Sequence, residues 1–514
     1  MFKGHPRGLI AAALANMGER YGFYTMMAIL SLFITAKFGL DGTSTGIIYA
    51  TFYALIYILS LAGGAIADKT RNYKGTIMAG IIVMSLGYLA MAIPTTTPVP
   101  DQTLYLIITL IALFIIAFGN GLFKGNLQAL VGQMYDNETY GKMRDSGISI
   151  FYMFINIGAI FAPFTAVAVR NWWLRSNELA YSADLPALCH AYLKGTINPE
   201  AQASFEKLAS QVSEMPVTSL DAFANEYLDT FVTGFHYAFG VAIIAMMISL
   251  AVYLVNKRFF PDAKKVIIAK EKESESRMTA EEIKMGAREV KQRMYALFAV
   301  FGVVIFFWFS FHQNGLTLTF FARDYTLLKL GSWDLSAEIF QSMNPFFVVF
   351  LTPVIVGLFG WLRSRGIEPS TPRKIAIGMF IAAMAFVVMA VGSLGLPPYE
   401  SVNPDTGGSP LMPAARVSPF LLIGTYFILT VAELFISPMG ISFVSKVSPP
   451  QYQGIMQGGW LGATALGNQL LFIGAILYQN VPIWMTWTLF VVACLVSMAT
   501  MIFMLRWLER VAKD

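Results

Sequence analysis

Charge is scarce in this sequence. Of 514 residues only 13% are Asp, Glu, Lys or Arg, while 56% are hydrophobic. Soluble domains carry about 25% charged residues, so a chain of this composition uses lipid as its solvent. Cysteine is almost absent: Cys189 sits in a polar segment and Cys494 deep in the last apolar run, which excludes a disulfide framework. The four histidines do not cluster, and there is no HExxH metal motif, nucleophile elbow or phosphate loop, so the chain offers no enzyme chemistry and no site for a metal or cofactor. The net charge of +5 does not point to nucleic acid, because the basic residues lie beside hydrophobic spans, where they orient a chain in a membrane. The N-terminus, MFKGHPRG, leads into an apolar stretch too long and too internally charged for a signal-peptide core, and it reads as a retained first helix.

What is present is a series of apolar runs, near 9–36, 46–67, 75–94, 104–131, 145–170 and 232–256, then near 293–321, 336–361, 373–395, 417–445, 454–478 and 484–508. Each is long enough to cross a bilayer as a helix. The pattern predicts an all-α membrane protein with 12 transmembrane helices in two six-helix halves, 1–170 with 232–256 and 293–514. Between them lies a polar linker, 257–292, in which TAEEIKMGAREVKQRM has a helical, mixed-charge pattern. Residues 171–231 form a long insertion with helix-compatible stretches such as PEAQASFEKLASQV. An even number of spans places both termini on one side. With the termini inside, 26 of the 36 Lys and Arg residues are cytoplasmic and eight are outside; Arg20 and Lys124 fall within spans. The positive-inside rule therefore predicts cytoplasmic termini, an extracytoplasmic 171–231 insertion and a place in the cell (inner) membrane. Two such halves joined by a basic linker are the architecture of the major facilitator fold, in which substrate binds near the midplane between the halves. The loop GGAIADKTRNYKG after the second span fits, with glycines for close helix packing and Asp68, Lys69, Arg71 and Lys74 for a charge network at the inner face.

Ionisable residues at membrane depth are costly and usually mark a pathway. The first span carries Glu19 and Arg20, the fourth Lys124 and the tenth Glu433. Two positive and two negative buried charges are neutral in sum, and a ligand with a free amine and a free carboxylate is the natural guest. Asn16, Arg20, Phe23 and Met27 recur at i, i+4, i+7 and i+11, one helical stripe, with Glu19 and Tyr24 beside it. Adjacent residues on a helix point about 100° apart, so Glu19 and Arg20 are expected to serve different purposes.

These segments carry a resemblance. NMGERYGFYTMMAIL resembles the E-x-x-E-R-F-x-Y-Y-G signature of the proton-coupled oligopeptide transporter family, and RDSGISIFYMFINIGAIFAP its F-Y-x-x-I-N-x-G signature. FFWFSFHQNGLTLTFFA is similar to its F-W-x-x-x-E-Q segment; QSMNPFF, AELFISP and GGWLGATALGN also match. The resemblance implies a secondary active transporter that imports di- and tripeptides by proton symport. It implies that Arg20 and Lys124, helped by Tyr24 and Tyr57, hold the peptide carboxylate. Asn156, Asn344 and Glu433 would then hold the amino end, while Trp308 and Trp460 shape side-chain pockets and Gln313 joins the substrate site. Arg offers a planar fork to a carboxylate, Lys a point charge, and Asn and Glu acceptors to an ammonium.

The chain departs from the signatures at three places. The first Glu is Asn16, the Arg that usually follows Tyr-Tyr-Gly is Met27, and the seventh-span Glu is His312. In family members that Arg and Glu are thought to form an outer-gate ion pair, and losing both avoids stranding a buried charge. The proton-coupling candidates are then Glu19, Glu433 and His312, a histidine being able to titrate in the range a proton-driven carrier needs. The rival readings are a carrier of another amine-carboxylate compound, a proton-uncoupled peptide facilitator and, further off, a peptide-sensing receptor. Pro345, Pro353, Pro438 and Gly440 could supply the bending that gates need.

Overall fold

A computed structural model describes residues 4–70, 72–135, 139–140, 144–261, 287–449 and 452–513. Among them 12 helices are long and apolar enough to cross a membrane: Arg7–Phe38, Gly42–Thr70, Tyr73–Ala92, Gln102–Met134, Ile150–Ser176, Leu220–Phe259, Arg288–Asp324, Ala337–Ser364, Thr371–Gly392, Pro419–Val444, Ile455–Asn480 and Ile483–Ala512. We refer to them as spans one to twelve. The chain is a multi-pass membrane protein of the major facilitator fold, all-α with two six-helix halves. Large apolar side chains such as Phe161, Met247, Phe350 and Phe503 are exposed on the span surfaces, as expected where lipid rather than protein covers them. Inside each half, small residues bring helices together. A Cβ on Gly63 of span two would fall 2.1 Å from the Gly121 carbonyl oxygen of span four, so only glycine permits that crossing.

The membrane environment requires backbone groups to be paired within the helix unless they line a cavity. Span seven departs from regular helix at such a place. It is α-helical over Ala287–Phe311, tightens to a 3-10 turn at His312–Gly315, and resumes at Thr317–Asp324. Span eleven is likewise divided, into Gln453–Gln469 and Leu471–Asn480. Pro163, Pro353 and Pro438 lie inside helices of spans five, eight and ten.

Between spans five and six stands a cap with two short helices, Leu185–Lys194 and Pro199–Val212. The second starts where Asn198 accepts a hydrogen bond from the Ala201 N–H (2.6 Å), with Pro199 in its first turn. Span six begins already at Leu220, and span five runs on to Ser176, so the cap rests on helices that project from the bundle. His190 of the cap is buried against the Ala36 carbonyl of span one (2.6 Å), and its burial pushes its pKa down. On the opposite face Asp68 accepts a hydrogen bond from Tyr73, while Arg71, its expected network partner, lies outside the described residues. The same is true of linker residues 262–286. Of the helical stretch TAEEIKMGAREVKQRM only the part from Ala287 is described, as the first turns of the span-seven helix.

Candidate functional site

A cavity of about 280 Å³ lies between the two halves. From the N-terminal half Arg20, Tyr24 and Met27 of span one, Tyr49, Tyr53 and Tyr57 of span two, Lys124 of span four and Asn156 of span five line it. The C-terminal half contributes Trp308 and His312 of span seven, Gln341 and Asn344 of span eight, Glu433 of span ten and Trp460 of span eleven. Nine of the ten predicted substrate-site residues thus border one space. Gln313 does not. Span seven tightens there, and the Gln313 amide donates to the Phe309 and Leu471 carbonyls (3.2 and 3.3 Å) while accepting from the Thr317 hydroxyl (2.8 Å). It ties span seven to span eleven instead of facing the cavity.

Glu19 and Arg20 are paired with each other, contrary to the expectation of separate purposes. Arg20 donates from Nε and from an Nη to the two Glu19 oxygens (2.5 and 2.6 Å), folding back over the 100° that separates the two Cβ directions. Asn120 of span four adds a third bond to the Glu19 carboxylate (2.7 Å), and Glu19 has no exposed surface. Glu19 itself does not line the cavity. Arg20 does, with the donors that Glu19 leaves free; an arginine has five N–H groups.

Lys124 is in a different position. Its ammonium sits 4.2 Å from the centre of the Tyr57 ring, a cation–π contact, and among the described residues it forms no ion pair. Across the cavity Glu433 accepts one hydrogen bond, from Asn344 (2.8 Å), whose amide also reaches the Thr430 hydroxyl (3.1 Å). Glu433 too forms no ion pair among the described residues. The two walls therefore present one unmatched charge each, of opposite sign.

His312 is buried between rings. It stacks on Trp308 (4.7 Å between centroids) and meets Tyr53 at the same distance, and its Nδ1 is 2.5 Å from Asn468 Oδ1. A carbonyl oxygen can only accept, so Nδ1 carries the proton of that bond. Trp460 occupies space that a side chain at position 440 would fill: a Cβ on Gly440 would fall 1.9 Å from its ring. Gly440 thus seats Trp460 against span ten. A tyrosine stripe is legible in the sequence: Tyr49, Tyr53 and Tyr57 recur every four residues and put three rings on one helical face. The Asn120 and Asn468 partners carry no local signal, since each acts on a residue more than 100 positions away.

The model of the POT family matches residues 74–266 and 262–485. Among curated proteins, the chain is 27% identical over 477 residues to a peptide transporter of Yersinia enterocolitica, YePEPT, covering 91% of this chain and 87% of that one. It is 26% identical over 499 residues to an uncharacterized transporter of Bacillus subtilis, YclF, covering 94% and 90%. A crystal structure of a peptide transporter POT in complex with alafosfalin superposes with a TM-score of 0.70 at 23% identity, over 100% of this chain and 97% of that one, which speaks to the fold. With more than half of its length matched by the family model, this chain is a transporter and belongs to the POT family, the proton-coupled oligopeptide transporters.

Proposed function

We propose that the protein imports di- and tripeptides by proton symport with alternating access, across the cell (inner) membrane and with both termini in the cytoplasm. The orientation rests on the excess of Lys and Arg in the segments that it places inside. One observation carries the substrate reading: Lys124 and Glu433, neither ion-paired among the described residues, face the same cavity from opposite halves. A peptide zwitterion matches both at once, its carboxylate toward Lys124 and the free donors of Arg20, its ammonium toward Glu433, Asn156 and Asn344. Tyr24 and Tyr57 border the carboxylate end, and Trp308 and Trp460 bound the space left for side chains. The buried Trp308 indole N–H has no acceptor among the described residues, and a peptide carbonyl would supply one.

For the proton we favour Glu433 over the other two candidates. Glu19 already accepts three hydrogen bonds, two of them from Arg20, and protonating it would leave that guanidinium without its counter-charge. His312 is wedged between two rings and shares the cavity with Lys124, so a second proton, on Nε2, would add a cation that has no counter-charge among the described residues. Glu433 needs either a proton or an ammonium to balance its charge, so it can exchange one for the other as peptide arrives and leaves. Uptake of labelled dialanine into liposomes under an imposed pH gradient, with a membrane-potential control, tests the whole reading. Accumulation that free amino acids fail to compete supports it; no accumulation, or accumulation of another amine-carboxylate compound alone, overturns the substrate assignment.

A further inference from the structure

We infer that the space beneath the cap is a second binding site, separate from the central one, for a small molecule with a free amine and a free carboxylate. A cavity of about 260 Å³ lies there, close in size to the central one at about 280 Å³, and no residue lines both. On span one the two are separated by Ala28, whose carbonyl accepts from Gln341 (3.1 Å), and by Ser31, whose hydroxyl donates to the Gly315 carbonyl (3.3 Å). Arg170, 3.9 Å from the centre of the Tyr181 ring that borders the cap cavity, joins this layer through its buried pair with Glu338.

The walls of the cap cavity carry charges of both signs that their neighbours answer only in part. Lys194, half-exposed at the end of the first cap helix, faces Asp405 of the loop before span ten at 3.6 Å, too far for a hydrogen bond. The buried Asp405 Oδ1 accepts no hydrogen bond among the described residues, an omission that a buried acceptor rarely shows. Lys194 instead donates to the Gly39 carbonyl (3.1 Å), which uses one of its three N–H groups. Arg323, in the last turn of span seven, grips Asp324 with Nε and Nη2 (2.6 and 3.0 Å), and its Nη1 donors have no partner among the described residues. Asp41, just before span two, accepts the Ser44 N–H at one oxygen (3.2 Å) and has no partner for the other among the described residues.

One zwitterion answers this set. Its ammonium supplies the donors that Asp405 and Asp41 lack, and its carboxylate accepts from Lys194 and from the Arg323 Nη1. A ligand with a single kind of charge would meet one sign and leave the other as it stands. Lys194 and Asp41 belong to the N-terminal half with its cap, and Arg323 and Asp405 to the C-terminal half, so a ligand held here bridges the two. The walls are kept together by Arg416 with Asp184 (2.6 Å) and by Gln479 with the Thr43 hydroxyl (2.6 Å).

Equilibrium dialysis tests this on the full chain in lipid nanodiscs with the two unmatched central charges removed, Lys124→Ala/Glu433→Gln. Labelled dialanine and labelled alanine are the probes, since a dipeptide and a free amino acid share the required chemistry, and the two arms tell which source fits. Saturable binding of one ligand per chain is expected in at least one arm. In the same background Ala187→Trp, which fills the cavity from the first cap helix, and Lys194→Gln/Asp405→Asn, which removes both charges together, are each expected to weaken binding at least about tenfold. N-acetylalanine, which lacks the amine, is expected to bind at least about tenfold more weakly than the probe that binds. Absence of saturable binding in both arms overturns the inference. So does unchanged binding in either cap variant that elutes as folded protein, or N-acetylalanine binding as tightly as the free amine. A chain that moves no dipeptide would still show the binding, so failure of the substrate reading and failure of this site are told apart.

Discussion

Span one, on one side, and Lys124 and Glu433, on the other, solve the problem of buried charge in opposite ways. The span-one wall presents an arginine whose charge is already met, by Glu19 next to it in the chain and Asn120 behind it. Lys124, on the same half, and Glu433, on the other, are left without a counter-charge among the described residues. A matched charge can stay in place through a cycle, whereas an unmatched one requires something from outside, and two such requirements face one cavity from opposite halves. On the proposed reading, the unmatched charges are the ones that a passenger must answer.

The comparison breaks most sharply at the unmatched charges. Lys124→Ala is expected to abolish measurable uptake driven by a proton gradient, because loss of a charge-assisted bond removes about 2 kcal/mol of binding, some thirtyfold; gradient-driven accumulation in liposomes checks it, and retained active uptake would place Lys124 outside the coupling path. Glu433→Gln keeps the shape but not the charge. We expect it to lose concentrative uptake while keeping exchange of labelled for unlabelled peptide, a split that counterflow against net uptake measures. Arg20→Lys strips the planar fork that grips Glu19, and a drop of about tenfold in apparent affinity follows if Arg20 also holds the peptide carboxylate. Binding of dialanine by calorimetry reads that change. His312→Gln is expected to change uptake by no more than about threefold and to leave its pH dependence as it was, since the ring's bond to Asn468 can be made by an amide.

The smallest effect lies away from the cavity. Glu368, between spans eight and nine, accepts bonds from Arg363 (2.6 Å) and Lys374 (2.5 Å), which hold its carboxyl down at about 2. A depressed value means stability that is present above the ordinary carboxylate range and lost as pH falls through about 2. Glu368→Gln should therefore unfold at a lower temperature than the native chain at pH 7, with the gap narrowing below pH 5, while transport is unchanged.

Much of this was legible in the residues. Arg20, Lys124 and Glu433 announce themselves because a charge inside an apolar run is costly, and the signature around each carries its neighbours along. The structure adds what depends on partners distant in sequence. Gln313 follows His312 in a matched segment, yet the turn at His312–Gly315 rotates it onto span eleven, a backbone event that no side-chain pattern reports. The pairing of Glu19 with Arg20 escapes the helical pattern for a related reason: the pattern reports Cβ directions, whereas side-chain length decides the contact. Arg170 and Glu338 lie at the edges of their apolar runs, where a charge is ordinary, and only their meeting across 168 positions makes them notable.

The contact between Glu19 and Arg20 also bears on how the chain reaches the membrane at all. Each residue, taken alone at the centre of a helix entering a bilayer, costs about 2.5–3.5 kcal/mol of insertion. Because the two are adjacent and can close their hydrogen bonds without help from any other span, the first helix can carry them in as one neutral unit, before Asn120 or any ligand exists to receive them. Lys124 and Glu433 have no such neighbour, and the fourth and tenth spans can enter the bilayer only on the strength of the long apolar runs around them.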